Sequence, residues 1–221
     1  MLKEQRYLSS EISRNADISR VKTYKTTAGL LFLRTGCTPS FVKGLNVDDG
    51  LRAFARLPER EHNLLLSIAE KPGSRLTLAY TAEGTIVGQA TLAPLDNWWQ
   101  DISNGYEIAV EVSSGWRKLG LAHQLLSLAL EFESLEECLV IGLGLSWHWD
   151  YAGLGITRFQ YRELIAGLFA SHSFTEYLTS ESNIRMDPAN ILVARLGNRL
   201  TEENINHFFQ RLLQSDTLPG I

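Results

Sequence analysis

A strand, a short loop and a helix follow one another directly near the middle of this 221-residue chain. Residues 106–112, YEIAVEV, have the pattern of a strand, and residues 120–133 carry apolar side chains at helical spacing. The loop between them ends in Arg-Lys-Leu-Gly-Leu-Ala at 117–122, which fits the pattern Gln/Arg-x-x-Gly-x-Gly/Ala. A sheet flanked by helices accommodates such a unit, so the sequence predicts a mixed α/β fold.

The loop is suited to binding an anion such as a pyrophosphate. The first turn of a helix has amides without backbone partners, and the helix dipole attracts negative charge. Gly120 has no side chain to keep phosphate oxygens away, and Arg117 and Lys118 add positive charge. The pattern alone arises by chance about once in five chains of this size. A plain strand-to-helix turn with a solvated basic pair therefore remains the alternative.

The other elements predict a mixed, mainly antiparallel sheet. Glu83-Gly84 predicts the turn of a hairpin over 75–93, and the apolar run at 138–145 predicts a central strand. Residues 46–70 are predicted to be helical, with an interruption at Pro58. We also expect strands at 21–27, 30–35, 173–179 and 189–196, and helices at 157–170 and 201–213.

The distribution of polar and apolar residues along the chain indicates its domain organisation and its location. Residues 1–20 are polar and predict a tail, whereas 21–221 contain no linker-like stretch and predict one domain. No run approaches 18 apolar residues and no apolar signal segment begins the chain. We therefore expect no membrane span, and we expect a cytoplasmic location.

Several functions are disfavoured by what the sequence lacks. With 21 basic and 25 acidic residues, the net charge of −4 argues against a nucleic-acid binder that relies on overall positive charge. Cys37 and Cys138 are too few for a disulfide framework or a cysteine-rich zinc site. The five histidines form no zinc motif, so no metal is expected, and we interpret His148 and Asp150 as a hydrogen-bonded pair.

The glycine loop and its surroundings resemble a known superfamily. Residues 112–123 resemble motif A of the GNAT superfamily of N-acetyltransferases, and the resemblance to that fold covers roughly 75–197. The C-terminal half is similar, more specifically, to the acetoin-utilization acetyltransferase family. The matching pieces are Trp147-His148-Trp149-Asp150, Tyr161-Arg162, Pro188-Ala189-Asn190 and the helix at 201–213.

The resemblance implies an acyl-CoA N-acyltransferase fold with a C-terminal helix, and acetyl-CoA as co-substrate. Family members acetylate a lysine of acetyl-CoA synthetase and so inactivate it, which makes that enzyme the implied protein partner. Main-chain groups on the strand would hold the pantetheine arm, and the first helical turn would hold the pyrophosphate. The implied acetyl-CoA-binding residues are Val110, Val112, Arg117, Lys118, Leu119, Gly120, Leu121 and Ala122.

Acetyl transfer to lysine needs a base, because the amine has an ordinary pKa of about 10.4 and arrives protonated. Glu107 and Glu111 lie four residues apart on the strand, so both point to one face. Both are candidates for the base, although the superfamily's usual glutamate position falls on Tyr106. Tyr161 is the candidate acid, because Phe169 stands where many members have a tyrosine.

Trp147, His148 and Trp149 follow the second central strand, and we predict that they line the acceptor side of the site. Two other functions remain open. A small-amine N-acetyltransferase would have the same fold, although few acidic residues mark a pocket for a cationic amine. A non-catalytic module that senses acetyl-CoA and binds the synthetase would also fit the unusual acid and base positions. The sequence leaves the oligomeric state open.

Overall fold

The computed structural model describes residues 20–55, 57–99 and 101–213. Residues 1–19, nearly all of the predicted tail, lie outside the described residues. In the described part, nine strands form one sheet in the order β1-β2-β4-β5-β6-β7-β9-β8, with β3 paired to β5. The strands are β1 Val21–Thr26, β2 Gly29–Arg34, β3 Asn46–Val47, β4 Arg75–Tyr80, β5 Thr85–Pro94, β6 Gly105–Val112, β7 Leu139–Gly144, β8 Thr175–Tyr177 and β9 Ile191–Leu196.

The helices of the described residues lie between these strands and after the last one. They are α1 Pro39–Lys43, α2 Pro58–Glu70, α3 Leu121–Leu130, α4 Arg158–Ala170, α5 Ser182–Arg185 and α6 Glu202–Leu212. Short 3-10 turns lie at Asn97–Trp99, Ser114–Trp116, Glu133–Glu137 and Ser146–His148. The mixed, mainly antiparallel sheet with flanking helices and a C-terminal helix is as predicted.

Helices cover both faces of the sheet. On one face, Leu125 of α3 packs with Val87 of the sheet, and Phe169 of α4 packs with Val193. On the other face, Leu65 of α2 packs with strands β4 and β5, and the fully buried Phe208 of α6 packs against β7 and β9. Burying a side chain of this size contributes roughly 1.5–3 kcal/mol, so the two apolar layers hold the central strands in place.

Strands β6 and β7 separate part of the way along the sheet. They pair in parallel only over 105–107 and 139–141. Beyond that point β6 continues to Val112 beside β5, and β7 continues to Gly144 beside β9. The second half of β6 is thus left without a partner strand on the side toward β7, and a cleft opens there.

The helix predicted over 46–70 is wrong in its first half. Residues 46–47 form β3, residues 48–55 are irregular, and Pro58 begins α2 instead of interrupting a longer helix. Proline suits the first helical position, where an N–H would have no partner. The amides of Arg52, Ala53 and Ala55 donate instead to carboxylates of Glu111 and Glu61. Those contacts take up the donors that a helix would use.

Candidate active site

The cleft between β6 and β7 is a cavity of about 1050 Å³. Its walls come from β6, residues 49–54, the start of α3, the segment after β7 and one side of α4. Small-molecule sites typically occupy about 300–1,000 Å³. Every site residue predicted from the sequence lines this cavity except Leu119. Residues far apart in the chain therefore meet in one place.

The glycine loop lies at the cavity wall, where Arg117, Lys118 and Gly120 line the cavity. Gly120 has φ +72° at the start of α3, and no side chain caps that helix, so its first amides remain available. Lys118 has φ +62°, a conformation that side chains usually avoid. Tyr24 of β1 donates its hydroxyl to the carbonyl of Leu119 at 2.7 Å. This hydrogen bond ties the loop to β1 through the Leu119 carbonyl, and Leu119 itself does not line the cavity.

Arg117 crosses the cleft. Its Nη1 lies 2.6 Å from Oδ2 of Asp150, so an ion pair joins the loop after β6 to the segment after β7. Asp150 also accepts from the amide of Gly153 at 3.0 Å. The predicted hydrogen bond between His148 and Asp150 is wrong. His148 ends a 3-10 turn, and the carboxylate of Asp150 instead accepts a hydrogen bond from Arg117. Lys118 is exposed at the mouth.

Glu111 is a buried carboxylate with one oxygen fixed. Its Oε1 accepts from the amides of Arg52 at 2.7 Å and Ala53 at 2.8 Å, whereas Oε2 has no hydrogen-bond partner among the described residues. Burial raises the pKa of Glu111, and the two amides and the charge of Arg117 act against that rise. Glu111 lines the cavity, and its unpartnered oxygen is buried in the wall.

Glu107 lines the same cavity near the point where the two strands separate. Burial raises its pKa first, and the negative charges of Asp96 and Glu181 raise it further, while Lys71 opposes them. Both predicted base candidates therefore bind a proton more tightly than an exposed glutamate. Of the two, Glu111 is the one whose carboxylate accepts from main-chain amides of the described residues.

His148 is held in one tautomer. The indole N–H of Trp147 lies 3.0 Å from Nε2 of His148, and an indole nitrogen only donates. Nε2 is therefore the acceptor, and Nδ1 carries the proton that it donates to the carbonyl of Ala53 at 2.8 Å. The Ala53 residue thus joins His148 to Glu111 through its two main-chain groups. The ring of Phe54 lies 5.3 Å from that of His148.

The opposite wall is aromatic. Trp149 stacks on Tyr161 of α4 with ring centroids 5.2 Å apart and an angle of 18°. Burial raises the pKa of Tyr161, which keeps its phenol protonated. Phe169, in the superfamily's usual tyrosine position, is 5% exposed and packs edge-on against Phe174. Among these rings, Tyr161 is the one with a hydroxyl on the cavity wall.

The wall formed by residues 49–54 was not predicted. Asp48-Asp49-Gly50 is a typical turn sequence and was the available signal. Asp48 accepts from the amide of Gly50 at 2.9 Å and from the hydroxyl of Ser113. A Cβ on Gly50 would lie 2.3 Å from the Ser113 hydroxyl oxygen, so glycine allows this segment to lie against the end of β6.

Comparison with known proteins agrees with this fold and site. The model of the acetyltransferase (GNAT) family matches residues 45–145. The acetoin utilization protein AcuA of Bacillus subtilis is 30% identical over 197 residues, which cover 85% of this chain and 93% of that protein. AcuA of Bacillus licheniformis is 28% identical over 192 residues, 85% of this chain and 90% of that protein. The crystal structure of an acetoin utilization protein from Exiguobacterium sibiricum superposes with a TM-score of 0.82 at 25% identity, covering 90% of this chain and 97% of that one.

The chain belongs to the GNAT family of acetyltransferases, and it is an acetyl-CoA-dependent N-acetyltransferase. Within that family, relatives that match most of the chain include the AcuA proteins of the two Bacillus species and the acetoin utilization protein of Exiguobacterium sibiricum. Over the described ranges, no helix is both long and apolar enough to cross a membrane. The same residues contain no cluster of three or more histidine, cysteine or acidic side chains that could hold a metal ion.

Proposed function

We propose that this protein transfers the acetyl group of acetyl-CoA to the ε-amino group of a lysine on acetyl-CoA synthetase, and thereby inactivates that enzyme. The observation that carries the reaction is Glu111, a buried carboxylate on the cavity wall, with one oxygen fixed by two amides and the other without a hydrogen-bond partner among the described residues. The resemblance to the acetoin-utilization family supports the choice of acceptor. A cytoplasmic location, where acetyl-CoA is used, goes with this proposal.

The cleft fits acetyl-CoA. Uncapped amides at the start of α3, next to Gly120 on the cavity wall, can bind the pyrophosphate. The unpaired side of β6, which includes Val110 and Val112, can bind the pantetheine arm through main-chain groups. Acetyl-CoA supplies an acetyl thioester, whose carbonyl carbon the amine attacks and whose sulfur leaves as the CoA thiol. The chain's own residues hold the two substrates and move the protons.

Glu111 is the proposed base. The ammonium group of the lysine gives one proton to the carboxylate of Glu111, directly or through a water, and becomes a neutral amine. The raised pKa of Glu111 makes it a stronger base than an exposed carboxylate. Glu107 lies on the same strand face and is the second candidate. Tyr161 is the proposed acid, because its protonated hydroxyl can give a proton to the leaving thiolate.

The acceptor would enter beside Trp147, His148 and Phe54. Trp147 is 44% exposed at the rim, so its ring can contact both the lysine and the surface that carries it. Arg158 and the exposed Met186 lie next to Trp147 in a second, shallower depression of about 290 Å³. A rim with exposed aromatic and apolar groups suits a protein acceptor better than a small polyamine.

The test is release of CoA thiol from acetyl-CoA by the purified protein, with and without acetyl-CoA synthetase from the same organism. We expect release that depends on the synthetase, together with one or more acetylated lysines found by mass spectrometry. Glu111→Gln should lower kcat by about 100-fold or more, the usual contribution of a general base. Glu203→Gln, the same change at an exposed position on α6, should leave the rate unchanged.

Other results would replace the proposal. Rapid acetylation of free amines, with the synthetase unmodified, would indicate a small-amine acetyltransferase. Tight binding of the synthetase and of acetyl-CoA without any acetyl transfer would indicate a sensing module. Full activity of Glu111→Gln with loss of activity in Glu107→Gln would move the base to Glu107.

A further inference from the structure

A second carboxylate lies buried behind the proposed base. Glu61, in the first turns of α2, has a side chain with 0% exposure. Its Oε2 accepts from the amide of Ala55 at 3.2 Å, and its Oε1 has no hydrogen-bond partner among the described residues. A buried carboxylate with an unsatisfied oxygen is unfavourable, and an apolar or amide side chain would fill such a position at less cost. Stability alone therefore does not account for this glutamate.

Glu61 and Glu111 hold the same short segment from two sides. Glu111 accepts from the amides of Arg52 and Ala53, and Glu61 accepts from the amide of Ala55. The segment between them carries Ala53 and Phe54, which form part of the cavity wall. The two carboxylates are close enough for the charge of Glu111 to act on Glu61. Glu61 does not itself line the cavity.

We propose that Glu61 is a positioning residue for acetyl transfer, which holds residues 52–55 against Glu111 and adjusts the strength of Glu111 as a base through its own charge. This inference rests on the proposed role of Glu111. It adds to that role a residue that does not touch either substrate.

The chemistry follows from the coupling of the two carboxylates. Burial first, and then the charge of Glu111, raise the pKa of Glu61 from 4.5 to about 7, against the opposing effect of the Ala55 amide. Glu61 therefore keeps its proton up to about pH 7, and the charge of Glu111 is one cause of this. Above pH 7 Glu61 ionises, and a second negative charge nearby raises the proton affinity of Glu111. The proposed base becomes stronger as the pH passes 7.

Other charged groups near the pair are few among the described residues. The charge of Arg117 lowers the pKa of Glu111, and so would the imidazole of His148 in its protonated form. His62, next to Glu61 on α2, binds the carbonyl of Val42 through Nε2 at 3.0 Å. The side chain of Arg52 is directed to the carbonyl of Asp49. None of these contacts supplies a hydrogen bond to either free carboxylate oxygen.

The variant Glu61→Gln removes the charge of the side chain and keeps its size, so it distinguishes an electrostatic role of Glu61 from a packing role. Glutamine has nearly the same size, and its amide oxygen can still accept from Ala55, but it cannot ionise. Glu59→Gln is the matched control, because Glu59 is an exposed glutamate two residues earlier on the same helix. Both variants are compared with the full-length protein in acetylation of acetyl-CoA synthetase between pH 5.5 and 8.5.

In the wild type and in Glu59→Gln, kcat/KM should rise roughly two- to fivefold as Glu61 ionises near pH 7. In Glu61→Gln this rise should be absent. The KM for acetyl-CoA should not change, because Glu61 is outside the cavity. A purely structural role would lower the rate equally at every pH. A Glu61→Gln profile that superimposes on the wild-type profile would overturn the proposal.

A second measurement does not depend on the acceptor. In protein labelled with ¹³C at the glutamate carboxyl carbons, the Glu111 resonance is the one missing from Glu111→Gln. In the wild type it should move in two steps, one of them near pH 7, and in Glu61→Gln that step should be absent. If the resonance moves identically in both proteins, the carboxylates are not coupled and the inference fails. If the coupling is present but Glu111→Gln retains full activity, the proposed base is wrong, and with it the catalytic role of Glu61.

Discussion

Replacing Glu61 by glutamine should stabilise the folded protein, and the gain should grow as the pH rises from 4.5 to 7. The folded protein keeps a proton on Glu61 up to about pH 7, whereas an unfolded chain releases it near pH 4.5. Between these values the folded state binds more protons than the unfolded state, so the free energy of unfolding falls as the pH rises. The stabilising contribution is complete below pH 4.5 and is lost once the pH exceeds 7.

The magnitude follows from the two pKa values. A folded-state pKa of about 7 against an ordinary value of 4.5 corresponds to about 3 kcal/mol of unfolding free energy at pH 8. Glutamine is never ionised and does not incur this loss. We expect Glu61→Gln to exceed the wild type by about 1–3 kcal/mol at pH 8, the lower figure allowing for local relaxation around the charge. At pH 5 the two proteins should differ by less than about 1 kcal/mol, because this pH is only slightly above the value near which the unfolded chain releases the proton.

Urea unfolding followed by tryptophan fluorescence at pH 5 and pH 8 measures this difference, and the chain has five tryptophans. Glu59→Gln should match the wild type within about 0.5 kcal/mol at both pH values, as exposed substitutions usually do. Equal gains at both pH values would mean that glutamine packs better and that charge has no part. A Glu61→Gln protein less stable than the wild type at pH 8 would refute a buried, ionising Glu61.

Three further substitutions test the walls of the cavity. Tyr24→Phe removes the hydrogen bond to the Leu119 carbonyl and should cost about 1 kcal/mol, with a weaker affinity for acetyl-CoA in calorimetry; an unchanged Kd would mean that the loop needs no support from β1. Gly120→Ala places a Cβ 2.9 Å from the Tyr24 hydroxyl oxygen at a φ of +72°, and should lower Tm and acetyl-CoA affinity together. Trp147→Ala should raise the KM for the protein acceptor and leave the Kd of acetyl-CoA as it was, and the reverse pattern would put Trp147 on the donor side.

The parts of the fold that the sequence predicted are those set by local patterns. Alternation along 106–112, the helical spacing after Gly120 and the tight turn at Glu83-Gly84 each depend on neighbours in the chain. The structure has β6, α3 and the β4–β5 hairpin at these positions. The same patterns brought nearly all of the predicted site residues to one cavity, because a strand and the helix that follows it fix their relative positions.

The first half of the helix predicted over 46–70 shows what local patterns miss. Leu51, Phe54 and Ala55 have helical spacing, and nothing nearby in the chain argues against a helix. The amides of this segment are instead bound by Glu111, 58 and 59 residues away, and by Glu61. These hydrogen bonds to buried carboxylates outweigh the weak helical preference of the segment. Leaving either carboxylate without hydrogen bonds would cost more free energy than the lost helical preference. A periodicity argument does not include them.

The same contacts explain why Glu111 and His148 could be singled out from the sequence while their surroundings could not. Each is a conspicuous residue type, one on a strand and one in an aromatic run, but neither pattern shows what it binds. Both bind Ala53, through opposite ends of its main chain, at sequence separations of 58 and 95 residues. An alanine gives no sign in a sequence that its peptide groups link a carboxylate to an imidazole. The protonation of Glu111 and His148 therefore depends on where the fold places the backbone of residues 52–55. In the proposed mechanism, Glu61 acts on Glu111 from the other side of that same segment.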